Sequence, residues 1–342
     1  MFGASPHHVF MNNINKPISL IVLTTLFTSS IIALSRTNWL FLWIAIEINI
    51  LRFIPLITQS KSNQETEASI KYFIAQALGS RIILITRIAQ WTVVSSNYIN
   101  IILLSAILLK LGMAPFHFWF PSVITSISWS SCLILATWQK LAPLIILAFI
   151  LNNNSPTLLL IIARINALLG GIIGINQSHL RTIIAYSSIT HIGWISRILY
   201  IIKPILTLSY YILYCLIIAP LFIIIHYSNQ TYNNQFNKLN IITPLIQISI
   251  PIILLSLRGI PPFTGFIPKW ITIWSICQYV PITLLILILG SIINTYFYIN
   301  ILFNSLLSIN FSTQLSSINL SNTKFLIIIA TISLFILPLC IL

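Results

Sequence analysis

Residues 39–56 read WLFLWIAIEINILRFIPL. This run is long enough for one helical crossing of a hydrocarbon core about 30 Å thick, at about 1.5 Å of rise per residue. It lacks the strict alternation that a transmembrane strand would show. Runs of the same kind recur along the chain. Of its 342 residues, 58% are hydrophobic and 6% are charged. Soluble domains carry about 25% charged residues. So few charges cannot coat a soluble particle of this size, and the chain has to use lipid as its solvent. Lipid leaves backbone N–H and C=O groups no partner except one another, so helices are the expected structure.

The expected fold is therefore an all-α polytopic membrane protein, a single transmembrane domain over 1–342 with about eleven spans. Clusters of Pro, Asn, Ser and Lys separate the apolar runs. They place the spans near 17–35, 38–58, 68–92, 98–120, 122–148, 155–175, 180–201, 204–226, 241–277, 281–305 and 324–341. The longest polar connections are Thr58–Thr66, Tyr227–Asn240 and Asn304–Thr323, too short for a soluble domain. The N-terminal stretch MFGASPHHVFMNNINKP has no basic region ahead of an apolar run, so it does not read as a usual signal or transit peptide. Met11 offers an alternative start.

Two of these helices are expected to be discontinuous. In ILLKLGMAPFHFWFP, Gly112, Pro115 and Pro121 interrupt the fourth. The ninth is too long for one crossing, and its middle, LSLRGIPPFTGFIPKW, holds Gly259, Pro261, Pro262 and Gly265. Irregular backbone at membrane depth persists only where protein buries it or a wet cavity takes it up, and broken helices recur in ion and solute pathways. The simpler alternative is a structural kink. Gly170 and Gly174, in GGIIG, have the spacing of close helix packing.

Glu47 lies near the centre of the opening stretch, and the chain has only three acids, Glu47, Glu65 and Glu67. A carboxylate at the bilayer centre costs roughly 2.5–3.5 kcal/mol, which a partner or a wet cavity must offset. Lys110 precedes the first break, Lys140 stands in LATWQKLAPL, and Lys269 follows the second break. A desolvated amine exchanges its proton near neutrality, whereas a guanidinium stays charged. Such a row of acid and amines, coupled through water, can pass a proton. For any one lysine, snorkelling to the interface is the alternative. His117, beside the first break, and His191, in AYSSITHIGW, are candidates for the same path or else ordinary interior histidines. His7, His8, His179 and His226 look peripheral. Glu67 and Lys71 are spaced to pair along one helix face, the acid first.

Other chemistry finds no support. The net charge of +14 is scattered rather than clustered, which argues against nucleic acid. Cys132, Cys215, Cys277 and Cys340 form no CxxC, so neither a metal nor an iron–sulfur site is expected. No nucleotide-binding glycine motif occurs.

Six motifs stand in order: WIAIEINILRFIPL, TEASIKYFIAQALGS, LLKLGMAPFHFWFP, TWQKLAPL, NQSHLRTIIAYSSITHIGW and GIPPFTGFIPKW. Together they make the chain resemble the NADH–ubiquinone oxidoreductase chain 2 family, mitochondrially encoded antiporter-like subunits of respiratory complex I. The likeness covers roughly 17–300 and is weakest at the two ends. It implies an antiporter-like fold, in a version shortened at the N-terminus to about eleven helices. It implies a multi-pass subunit of the mitochondrial inner membrane that translocates protons, driven by electron transfer from NADH to ubiquinone elsewhere in the complex. On this resemblance the chain is part of an enzyme, the H+-translocating NADH:ubiquinone reductase, but does no redox chemistry itself. NADH, FMN, iron–sulfur clusters and ubiquinone would belong to other parts of the complex. Its partners would be other membrane-arm subunits, neighbouring antiporter-like subunits among them, and membrane lipids. The family's glutamate–lysine pair falls on Glu47 and Lys110, and its further lysines on Lys140 and Lys269. A stand-alone cation/proton antiporter and a membrane anchor without a proton path are the competing functions.

The chain departs from that pattern at its arginines. Arg52, Arg81, Arg87, Arg164, Arg197 and Arg258 stand in or beside apolar runs, where the family has small or apolar residues. Three acids cannot pair with them, and methionine occurs only three times in an isoleucine-rich chain. The combination points to a mitochondrial reading frame translated with an unsuitable genetic code, serine written as arginine and methionine as isoleucine. Arg36 belongs with this set, whereas Arg181 looks genuine.

Overall fold

The computed structural model describes residues 17–35, 38–59, 62–91, 96–151, 156–201, 204–228, 244–276 and 281–309. These residues form helices with no strand among them. Two compact units are distinguished, Met1–Ser155 and Pro156–Leu342.

In the first unit, α1 (Pro17–Ser35) packs on α2 (Trp39–Ile57), and α2 packs on α3 (Asn63–Trp91). Next come α4 (Ser96–Leu111), α5 (Trp119–Ser126), α6 (Trp129–Ala136) and α7 (Trp138–Leu151). α3 carries α4 and α5, while α7 contacts α1, α4 and α6. The Asn38 side chain accepts from the Leu40 N–H and caps α2. α3 starts five residues before the expected 68. Ser62 accepts from the Glu65 N–H at 3.3 Å, and Ser62-x-x-Glu65 has capping-box spacing, so polar residues open this helix.

The fourth span breaks as expected, but over fewer residues. α4 ends at Leu111, and Gly112 takes φ +67°, a left-handed conformation that lacks the Cβ penalty only in glycine. Pro121 is not part of the break. It sits in the first turn of α5, where a missing N–H removes no helical bond. The span expected over 122–148 is not one helix. It is interrupted at Ile127–Ser128 and again at Thr137, between α6 and α7. At the second interruption Thr137 N–H bonds to Leu133 O, and Lys140 N–H bonds back to Thr137 O at 3.2 Å, a tighter turn that restarts the helix.

The second unit holds α8 (Pro156–Ile175), α9 (Leu180–Tyr200), α10 (Pro204–Ser228), α11 (Pro244–Arg258), α12 (Phe266–Ile276) and α13 (Pro281–Ile309). α8 packs on α9 and α13, and α11 packs on α10 and α13. The short α12 touches α9, α10 and α13. The expected ninth span is indeed broken. α11 ends at Arg258, Gly259 takes φ +78°, and α12 starts at Phe266. Burial of apolar surface does not drive helices together in lipid, so close van der Waals packing has to. The glycines of α8 supply it. A Cβ on Gly170 would lie 2.7 Å from the Tyr186 carbonyl on α9, and one on Gly174 would lie 2.9 Å from Phe297 on α13.

Among the described residues, six helical stretches are long and apolar enough to cross a membrane: Trp39–Ile57, Asn63–Gln90, Trp129–Ile150 taken across the Thr137 interruption, Thr157–Ile175, Pro204–His226 and Pro281–Asn304. Ser19–Ser35, Tyr98–Leu111 and Ser249–Arg258 are shorter apolar helices. Large apolar side chains such as Phe41, Ile85, Phe149, Ile205 and Trp274 face outward, as a lipid-solvated surface requires. The last expected span, 324–341, the N-terminal stretch to Lys16 and most of the Tyr227–Asn240 and Asn304–Thr323 connections lie outside the described residues.

Candidate functional site

Three helices of the first unit bring Glu47 and Lys110 together. Glu47 projects from α2 and is half-buried. The Ser80 hydroxyl on α3 donates to its Oε1. Lys110, in the last turn of α4, is buried, and its Nζ donates to the Gln76 carbonyl at 3.3 Å. Gln76 reciprocates, its Nε2 donating to the Lys110 carbonyl at 3.1 Å. That second bond also takes up one of the last four carbonyls of α4, which have no partner within the helix. Lys110 lies close enough to Glu47 for direct Coulombic coupling. Gly79 makes the approach feasible, because a Cβ there would stand 2.9 Å from Lys110 Cγ. An acid and an amine thus share one buried locality, each with a hydrogen-bond partner on α3.

Lys140 is also buried in the first unit. It lies in the first turn of α7, directly after the Thr137 interruption, with Nζ 4.0 Å from the centroid of the Phe120 ring. A cation over a ring face in a desolvated setting gains up to about 2 kcal/mol. His117 is buried in the first break, its ring tilted against Phe118 with centroids 4.2 Å apart, and the Pro115 backbone is its polar neighbour.

The second unit places Lys269 just after the break between α11 and α12. Its Nζ donates to the Arg258 carbonyl at the end of α11 and lies 5.9 Å from the Trp194 ring on α9. The broken helix thus offers the amine a carbonyl at a helix C-terminus, where the dipole favours a cation. His191 stands one turn before Trp194, and its Nδ1 is 3.0 Å from the Tyr210 hydroxyl on α10. The Tyr214 ring lies 5.2 Å from the His191 ring. Asn294 on α13 donates to Thr190 Oγ1 at 2.8 Å. These groups are buried, so α9 carries a polar track through a packed interior.

The sequence reading missed Ser80, Gln76, Thr190, Tyr210, Tyr214 and Asn294. Ser80 and Gln76 had a signal, since both lie in TEASIKYFIAQALGS on the face that carries Ala77 and Tyr72. The tyrosines had a weaker one, in YYILYC, where three hydroxyl tips enter an apolar run. Glu67 and Lys71 do form the expected pair, at 2.6 Å, on the exposed face of the first turns of α3.

The arginines divide. Arg52 and Arg81 are exposed, and Arg87 lies 3.4 Å over the Trp39 ring. Arg197 is wholly buried. Its Nε donates to Thr283 Oγ1 at 2.9 Å, while Nη1 and Nη2 have no hydrogen-bond partner among the described residues. Arg258 is buried as well, and its Nη1 has no hydrogen-bond partner among the described residues.

Comparison with known proteins agrees with this architecture. Residues 36–294 match the NADH:quinone oxidoreductase/Mrp antiporter transmembrane family. NADH-ubiquinone oxidoreductase chain 2 of Lumbricus terrestris is 46% identical over 331 residues, covering 96% of this chain and 99% of that protein. The chain 2 protein of Oryzorictes hova is 36% identical, covering 95% of this chain and 97% of its own length. A chain of respiratory complex I from Thermus thermophilus superposes with a TM-score of 0.81 at 21% identity, covering 94% of this chain and 78% of that one. A chain of the Mrp complex from Dietzia superposes at 0.70 and 18% identity, covering 88% of this chain and 60% of that one. These two likenesses establish an antiporter-like fold. The family match and the chain 2 relatives, spanning almost the whole sequence, establish that this chain belongs to the antiporter-like NADH:quinone oxidoreductase membrane family, among the NADH-ubiquinone oxidoreductase chain 2 proteins.

Proposed function

We propose that this chain translocates protons as a membrane-arm subunit of respiratory complex I in the mitochondrial inner membrane, coupled to NADH:ubiquinone electron transfer elsewhere in the complex. The observation that carries this reading is the half-buried Glu47 of α2 set near the buried Lys110, which stands at the end of α4 where the helix breaks. A carboxylate and an amine coupled through their charges can exchange which of them holds a proton at little cost in net charge. The break supplies polar backbone where a regular helix would offer none.

Lys140 and Lys269 extend the set, each beside an interruption of its own span. In this reading a proton arriving at one site alters the field at the next. His117 and His191 assist as neutral imidazoles able to donate at one nitrogen and accept at the other. The two units act as one transmembrane domain of about eleven spans, counting short and broken helices as crossings. Its partners are the adjoining membrane-arm subunits and lipid, and the redox cofactors reside elsewhere in the complex.

The test is proton pumping by the intact complex reconstituted in vesicles. Glu47→Gln and Lys110→Met should each lower protons pumped per NADH oxidised, in complexes that still assemble. Unchanged pumping in both would reject the pair as a proton site. A stand-alone cation/proton antiporter is the second reading, favoured by the structural likeness to the Mrp complex. Copurification with NADH dehydrogenase activity separates the two.

A further inference from the structure

We infer that Ser80 is a positioning residue that holds Glu47 in one place in both of its protonation states, by reversing the direction of its hydrogen bonds. The inference rests on the proposed role of Glu47 and adds a residue to it.

Ser80 Oγ is fully buried and has two acceptors in reach, Glu47 Oε1 on α2 and the Ala77 carbonyl of its own helix at 2.9 Å. A serine hydroxyl carries one hydrogen and two lone pairs, so it can serve only one of these acceptors at a time. With Glu47 ionised, the hydrogen points to the carboxylate, since a charge-assisted bond is about twice as strong as a neutral one. With Glu47 protonated, the carboxyl O–H becomes the donor and Ser80 Oγ accepts. Its own hydrogen then turns to the Ala77 carbonyl. Both states are satisfied with the same heavy-atom positions. One proton is gained by Glu47, and the rest is a rotation about the serine C–O bond.

The charged surroundings suit such a device. Among the described helices packed on α2, α1 carries no charged residue. α3 carries Glu65, Glu67 and Lys71 at its start, Arg81 exposed, and Arg87 against Trp39. Lys110 on α4 is the interior charge coupled to Glu47. A carboxyl group that changes charge beside that amine has to stay aligned while it does so. A partner that could only donate could serve the carbonyl oxygen of protonated Glu47 but could not accept its O–H.

The experiment is infrared difference spectroscopy of the intact complex between its NADH-reduced and oxidised states, with proton pumping measured on the same preparations. Glu47→Gln identifies the carboxyl band that belongs to Glu47. Ser80→Ala should shift that band upward, as for a carboxyl group released from a hydrogen bond, and lower pumping severalfold with NADH oxidation retained. Ser80→Thr, which keeps the hydroxyl, should restore both. If Ser80→Ala does not assemble, Ser80→Cys, a near-isosteric weak donor, should give an intermediate shift. An unmoved Glu47 band in Ser80→Ala or Ser80→Cys overturns the inference. Full pumping in Glu47→Gln would instead reject the role of Glu47, while a band shift in the serine variants would still establish the bond from Ser80 to protonated Glu47.

Discussion

The buried lysines of the two units are solvated by different means. In the first unit Lys110 has a carboxylate within Coulombic reach and an amide carbonyl on its Nζ. In the second, Lys269 has a backbone carbonyl and the distant face of Trp194. The second unit has no acid of its own to offer, because all three acids of the chain precede residue 68. One site is a charge pair, whereas the other relies on dipoles and polarisable rings. A pair holds two charges of opposite sign at once, so removing either member exposes the other. A lone amine among dipoles leaves nothing charged behind when it is removed.

The contrast is best broken by comparing assembly with activity. The largest effect is expected in the first unit. Glu47→Gln should destabilise the assembled complex by about 3–5 kcal/mol, the usual consequence of leaving a buried charge unpaired. The double variant Glu47→Gln/Lys110→Met should recover most of that assembly while still failing to pump. Yields by native gel, read against pumping, decide this. A double variant worse than either single one would mean the two residues are not coupled.

Next in size are the arginines of the second unit. Arg197 and Arg258 have buried, unpartnered guanidinium nitrogens in a unit without acids. A charge placed so costs roughly 2.5–3.5 kcal/mol. Peptide masses of the protein isolated from its native membrane should give serine at both positions, as an unsuitable genetic code predicts. Arginine masses would reject that explanation and leave two guanidinium groups in need of an outside anion. Serine masses sharpen the comparison, for they make Lys269 the sole buried cation on α11 and α12.

Lys269→Met should alter assembly by less than about 1 kcal/mol, since it strands no charge and leaves only one carbonyl without its donor. Pumping should nevertheless fall. A loss of assembly as large as that of Glu47→Gln would show that an unseen anion completes the Lys269 site. The smallest effect is expected for Tyr210→Phe, which removes one neutral hydrogen bond from His191 and should cost about 1 kcal/mol. Thermal unfolding of the complex would register it.

Much of this was legible in the residues. Composition fixes the solvent, because a chain with 6% charged residues cannot be covered by water-facing side chains. Lipid then fixes helices, through the cost of an unsatisfied backbone. Gly112 and Gly259 mark the breaks because a positive φ strains any residue with a Cβ. Glu47, Lys110, Lys140 and Lys269 identify themselves by the cost of their burial, which depends on the residue and its apolar flanks alone. Tertiary structure decided what those charges touch. Nothing in ATWQ announces an interruption at Thr137, and nothing in QALGS announces that Ser80 meets Glu47 while Gln76 meets Lys110. The cost of a charge is local and can be read along the chain. The partner that offsets it lies on another helix, and only the packing of α2, α3 and α4 selects it.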